Sequence, residues 1–86
     1  MQINDTLNQR SNTHGDFLTN SQISQGLKTV YKNSPNHDNN MSAYQQEALD
    51  MIVHKIARIV CGNPNEPDHW HDIAGYATLV YNQLQK

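Results

Sequence analysis

Residues 42–62 read Ser42-Ala-Tyr-Gln-Gln-Glu-Ala-Leu-Asp-Met-Ile-Val-His-Lys-Ile-Ala-Arg-Ile-Val-Cys-Gly62. Leu49, Ile52, Val53, Ile56, Ile59 and Val60 recur at spacings of three and four, the signature of a helix with one apolar face. Ser42 followed three residues later by Gln45 is a capping box, which satisfies orphan backbone donors at a helix start. Gly62 is a typical residue just past a helix end. The stretch therefore predicts a helix over 43–60 with the six residues above as its core face.

Downstream, Gly62-Asn-Pro-Asn-Glu-Pro67 is too short and too rich in proline to be anything but a tight connection. The spacing of Trp70, Ile73, Ala77, Val80, Tyr81 and Leu84 predicts a further helix over 67–83, packed by that face. A short link between two long helices makes an antiparallel hairpin. Upstream, residues 33–40, Asn-Ser-Pro-Asn-His-Asp-Asn-Asn, read as a loop. Before them Ile23, Leu27, Val30 and Tyr31 mark a shorter helix over 21–32, with Ser21 as its N-cap and Gly26 as a weak point. Residues 1–20 are polar and read as a flexible N-terminal segment, apart from Thr13-His-Gly-Asp-Phe17, which has the character of a turn. No strand pattern and no repeat appears. The expected fold is all-α, a short helix plus an antiparallel helical hairpin in one domain spanning 1–86.

Composition narrows the function. The chain has 86 residues, with 36% hydrophobic and 16% charged, and a formal net charge of -2. A sequence pI near 6.1 argues against direct nucleic-acid binding, for which clustered Lys and Arg and a pI above about 9 are the usual footprint. No apolar run reaches the ~20 residues that cross a bilayer. Residues 1–10 lack the basic start and apolar middle of a signal peptide, so the expected location is intracellular. A single cysteine, Cys61, excludes a disulfide framework within one chain. Below about 80 residues one small core seldom supplies more than ~3–5 kcal/mol. The bundle is therefore expected to be completed by homo-oligomerisation.

The faces opposite the apolar stripes carry the chemistry. At 100° per residue Glu47, Asp50, His54 and Arg58 fall within about 80° of one another, and Asp68, Asp72 and Tyr76 stack on the last helix. These stripes are either solvated surface or a site. Asp68 and Asp72 are like charges one turn apart, an unfavourable pair that the helix N-terminus partly offsets. With Glu47 or Asp50 they form a candidate site for Mg²⁺ or Mn²⁺, ions that favour carboxylate and water ligands. His69 and His71 point about 160° apart on a helix and cannot share one ion. Gly75, inside a helix, suggests that another backbone or a ligand approaches closely.

Residues 48–60, containing Lys55-Ile-Ala-Arg58, followed by Asp68-His-Trp-His-Asp-Ile-Ala-Gly-Tyr-Ala77, resemble a family of small phage and prophage proteins of unassigned function. That family carries Lys-Ile-x-Arg and then Asp-x-Trp-x-Asp-Ile-x-Gly-Tyr. Its upstream element, Arg-x-x-x-Tyr-Gly-Asp-x-x-x-Asn, reads here Arg10-Ser-Asn-Thr-His14-Gly-Asp16-Phe-Leu-Thr-Asn20, with histidine in place of tyrosine. The family is in turn similar to the all-α nucleotide pyrophosphohydrolases of the MazG type. The resemblance implies a MazG-like oligomer in the host cytoplasm, with Glu47 and Asp50 facing Asp68 and Asp72 across a divalent metal. It also implies that Lys55 and Arg58 meet phosphates and that Asp16 closes the site. MazG-type enzymes carry Glu-Glu-x-x-Glu and then Glu-x-x-Asp, whereas this chain offers only Glu47-x-x-Asp50 and Asp68-x-x-x-Asp72.

The expected function is binding of a nucleotide or other phosphorylated ligand, hydrolysed or sequestered, with His14, Asp16, His54, Lys55, Arg58 and Tyr76 as ligand-binding residues. If it is an enzyme, it is a metal-dependent nucleoside triphosphate pyrophosphohydrolase. The alternative is a non-catalytic counter-defence protein that inhibits a bacterial defence complex, such as CRISPR-Cas, by protein–protein binding.

Overall fold

The computed structural model describes residues 2–86; Met1, the first residue of the polar segment, lies outside the described residues. Five helices follow in order: α1 (Ile3–His14), α2 (Phe17–Lys32), α3 (Pro35–Asn39), α4 (Ala43–Cys61) and α5 (Pro67–Leu84). The fold is all-α, with no strand among the described residues. Gln45 Oε1 accepts from the Ser42 N–H and from the Ser42 hydroxyl, each at 2.9 Å, so the side chain read from sequence as closing the start of α4 does so.

The N-terminal half departs from the expectation. Residues 3–14 form α1 where a flexible segment was expected. This helix buries no side chain of its own and is tied down at its C-terminal end. The Thr13 carbonyl accepts from Asn63 N–H at 3.0 Å and lies 2.8 Å from Nε2 of His69. The turn at 13–17 is present, with Gly15 at φ 83, in the left-handed region that glycine tolerates. α2 starts at Phe17 rather than 21, because Asp16 caps it: Asp16 Oδ2 accepts from the Thr19 N–H and hydroxyl, each at 3.1 Å. Ser21 lies inside the helix and donates to the Leu18 carbonyl at 2.7 Å. Within the expected loop 33–40, Ser34 caps the short α3, with Pro35 at its first position, where a missing N–H costs nothing.

Gly62 does follow the end of α4, but at φ -115 its conformation does not demand glycine. Space does. A Cβ there would collide with the Thr13 carbonyl, and a Cβ on Gly15 would collide with the Cys61 carbonyl. The two glycines let the α1–α2 turn cross directly over the end of α4. Gly75 behaves differently from expectation: nothing in the chain lies within 4 Å of its Cβ position.

α4 lies in the middle, packed against α2 on one flank and α5 on the other. Tyr31 and Lys32 near the end of α2 meet Asp50 in the first half of α4, while the start of α2 lies by Cys61, so the neighbours are antiparallel. Among the described residues the buried apolar side chains are Ala48, Val53 and Ala57, small groups at the two flanks of α4. This corrects the expected core. Leu49, Ile52, Ile56 and Ile59 are half-buried and Val60 is 61% exposed. On α5, Trp70 is 55% exposed, with its indole N–H bonded to the Pro64 carbonyl at 2.8 Å, and Ala77, Tyr81 and Leu84 are exposed. The face of α5 turned to α4 runs instead through His69, Asp72, Ile73, Tyr76 and Val80.

With 100° per residue and these contacts, the three long helices form one layer with two unlike faces. One face carries Ile23, Leu27 and Val30 from α2, Leu49, Ile56 and Val60 from α4, and Trp70, Ala77 and Tyr81 from α5. The other carries the charged residues of all three helices and receives the end of α1.

Candidate functional site

On the polar face, His14 from the end of α1 stacks on His69 from the start of α5, with ring centroids 5.3 Å apart at 50°. His69 is the most deeply buried large side chain, at 2% exposure. Its Nε2 at the Thr13 carbonyl assigns the proton to that nitrogen, because a carbonyl only accepts. His69 thus positions His14 without itself reaching solvent.

Three cations, Arg58, Lys55 and Arg10, act on His14. Burial, followed by the charges of Arg58, His69, Lys55 and Arg10, holds the His14 pKa below the ordinary imidazole range. Burial, followed by Arg58, Lys28 and Lys55, does the same to His54. Both rings are therefore neutral at pH 7. Lys55 is buried and its ammonium meets Asp72 Oδ2 at 3.1 Å. That hydrogen bond is the main reason the Asp72 carboxyl stays below its usual range. Arg58, Lys28 and Arg10 form no ion pair among the described residues. Lys28 acts on Asp50 only through its longer-range charge, so Arg58 and Lys28 stand beside the two imidazoles without a direct ion pair, in a chain whose net charge is -2. Guanidinium and ammonium donors beside two imidazoles are suited to holding an anion with several acceptor oxygens, phosphate above all.

Of the residues expected to bind a ligand, His14, His54, Lys55 and Arg58 come together. Asp16 does not join them as a free carboxylate; it caps α2. Tyr76 lies one turn beyond Asp72 and lines an open groove between α4 and α5 with Tyr44, Glu47 and Leu79.

The four carboxylates expected around Mg²⁺ or Mn²⁺ are dispersed. Asp50 accepts from the Tyr31 hydroxyl and pairs with Lys32 at 3.4 Å. Burial pushes the Asp50 carboxyl up, but Tyr31 and Lys32 outweigh it and hold it below the usual range. Burial first, and Asp50 second, push the Tyr31 phenol well above its ordinary value. Asp72 is engaged by Lys55, while Glu47 and Asp68 are exposed. Among the described residues no three His, Cys, Asp or Glu side chains are grouped to hold an ion. Within one chain these residues do not fit a divalent metal.

Two members of the cluster escaped the sequence reading. Lys28 sits on the polar flank of α2, and only the antiparallel pairing of α2 with α4 brings it to His54. The sequence weighs His69 only as a metal ligand that cannot share an ion with His71, and gives its neighbour Trp70 the core position that His69 occupies. The signal available for Lys28 was its spacing of four from Lys32, which partners Asp50 on that flank.

Among the described residues no helix is long and apolar enough to cross a membrane. Comparison with curated proteins and with solved structures finds no match to the chain. A family model described as a domain of unknown function (DUF6378) matches residues 2–83. That match takes in all of α1 to α4 and nearly the whole of α5, so the chain belongs to this domain family.

Proposed function

We propose that the chain binds a phosphorylated ligand, of the nucleotide class, on the polar face where His14, Lys28, His54, Lys55 and Arg58 meet, and that it sequesters the ligand rather than hydrolysing it. The observation that carries this reading is the set of cations left without an ion pair. Among the described residues Arg58 and Lys28 form no ion pair, Lys28 reaching Asp50 only through its longer-range charge, and the two histidines beside them are held neutral by burial and by nearby cations. A phosphate supplies the missing counter-charge and accepts several charge-assisted hydrogen bonds at once. The resemblance of Lys55-Ile-Ala-Arg58 and Asp68–Ala77 to phage proteins similar to MazG-type enzymes favours a nucleotide over other phosphates. It also favours action in the cytoplasm of an infected host.

Sequestration is preferred to hydrolysis because Asp50 and Asp72 already serve Tyr31, Lys32 and Lys55. Phosphoryl chemistry of the pyrophosphohydrolase kind needs cations arranged to bring a water in line and neutralise developing charge. The test is a panel of nucleoside mono-, di- and triphosphates, read by thermal shift in EDTA and in Mg²⁺, with product analysis alongside. The expected result is stabilisation that grows with phosphate number, persists in EDTA and leaves the nucleotide intact. Turnover that appears only with Mg²⁺ would replace sequestration by catalysis. No response to any phosphate would remove the reading.

A further inference from the structure

The face opposite the phosphate cluster carries an inference that does not depend on any ligand. It is built by all three long helices and holds none of their charged residues. Lys28 and Lys32 on α2, Glu47, Asp50, Lys55 and Arg58 on α4, and Asp68 and Asp72 on α5 all fall on the polar side or at the helix contacts. What remains on the other side is aliphatic and aromatic, with Val30 72%, Val60 61% and Tyr81 62% exposed. Helical domains are stable when an apolar layer is covered by a second layer. This chain has one layer, and buries only two alanines and one valine as its apolar core.

The dimensions agree. The chain exposes 6111 Å², whereas a compact monomer of 9.8 kDa exposes about 5,200 Å² by the usual scaling with mass. The excess of roughly 900 Å² is close to the ~800 Å² that each partner contributes to a stable interface. The radius of gyration is 14.7 Å, against about 12 Å for a globular chain of this length.

We infer that this face is the contact surface of a second copy of the chain, in an isologous two-fold dimer that stacks two three-helix layers apolar face to apolar face. The occupant is argued to be a second copy for two reasons. A core of Ala48, Val53 and Ala57 is too small to hold the fold while a different partner is awaited. A face without charge can also meet itself with no like-charge repulsion, and depletion of charge at the centre is the pattern of interface cores. The two-fold operation places the same patch on both sides and leaves a phosphate cluster on each outer surface.

Light scattering and sedimentation of the full chain test the inference. The expected mass is about twice the chain's 9.8 kDa throughout the micromolar range. Ile56→Glu, in the middle of the apolar face, is expected to give the single-chain mass, and Leu79→Glu, on the opposite side of α5, to leave the dimer unchanged. Where Ile56→Glu fails to fold, the unsubstituted chain still decides. The melting temperature of an obligate dimer rises with protein concentration, because association stabilises by mass action. A folded chain of single mass with a concentration-independent melting temperature would overturn the inference. So would a dimer that survives Ile56→Glu and dissociates with Leu79→Glu.

Discussion

Glycines 62 and 75 show how one residue type serves opposite ends. Gly62 follows the end of α4 and Gly75 lies inside α5, and from sequence alone only Gly75 looked like a place of close approach. The structure reverses this. A methyl group on Gly62 collides with the Thr13 carbonyl, while one on Gly75 meets open space. Gly62→Ala should therefore destabilise, by about 1–3 kcal/mol, since the crossing backbone has to move aside. Gly75→Ala should stabilise by roughly 0.5–1 kcal/mol through helix propensity. Denaturant midpoints for the two variants, compared at one protein concentration, check both signs.

The histidines give both stability and anion binding a pH dependence. The pKa values of His14 and His54 are lowered in the folded chain, so between the folded and unfolded values the unfolded state binds more protons. Stability from these groups is present above the unfolded value, about 6.5, and is lost as pH falls toward the folded values. Bound phosphate changes the balance, because an anion favours the charged imidazole. Phosphate affinity should thus rise between pH 8 and pH 6 while the ligand-free chain loses stability. Replacing both rings by Gln should flatten both profiles, in calorimetric titrations with inorganic tripolyphosphate and in thermal melts without ligand.

Among the elements, α4 and α5 were legible because each signal pointed the same way. Ser42 and Gln45 marked a start, proline and glycine marked the ends, and the apolar period of 3.6 filled the interval. α1 was not legible, since Ile3-Asn-Asp-Thr-Leu-Asn-Gln-Arg10 has no stripe to bury and its anchor lies in two bonds to one carbonyl from residues 50 and 56 positions away. α3 was hidden by the same Ser34-Pro35 pair that caps it, read as loop punctuation. This difference in support predicts a difference in dynamics. Amide exchange in residues 3–10 should approach that of an exposed chain, while residues 48–57 of α4 should be the last to exchange. His69→Leu should accelerate exchange through residues 11–14 and cost about 0.5–1.5 kcal/mol, by removing one of the two donors to the Thr13 carbonyl. Equal protection of α1 and α4 would contradict this picture.

In the whole molecule, helical phasing found the apolar residues of α4 and α5 but assigned to the core a stripe that is largely half-buried or exposed. Several of the positions buried against neighbours within the chain are small, Ser24 on α2 and Ala48 and Ala57 on α4, and small residues let helix axes approach. The large aliphatic residues were left for the open face. The polar side followed a similar course. Phasing placed His54 and Arg58 together, but it took the long-range pairing of α2 with α4 and the staple of α1 to add Lys28 and His14. The result is a layer whose one side holds the charged residues of the three long helices, Arg58 among them without an ion pair, and whose other side holds none of them.

The phosphate cluster is the centre of this account, and calorimetric titration with tripolyphosphate in EDTA tests it most directly. Metal-free binding with one ligand per chain is expected, weakened at least tenfold, or about 1.4 kcal/mol, by Arg58→Ala and little altered by Glu47→Gln. Absence of binding, or affinity that ignores Arg58 and depends on added Mg²⁺ and Glu47, would contradict it.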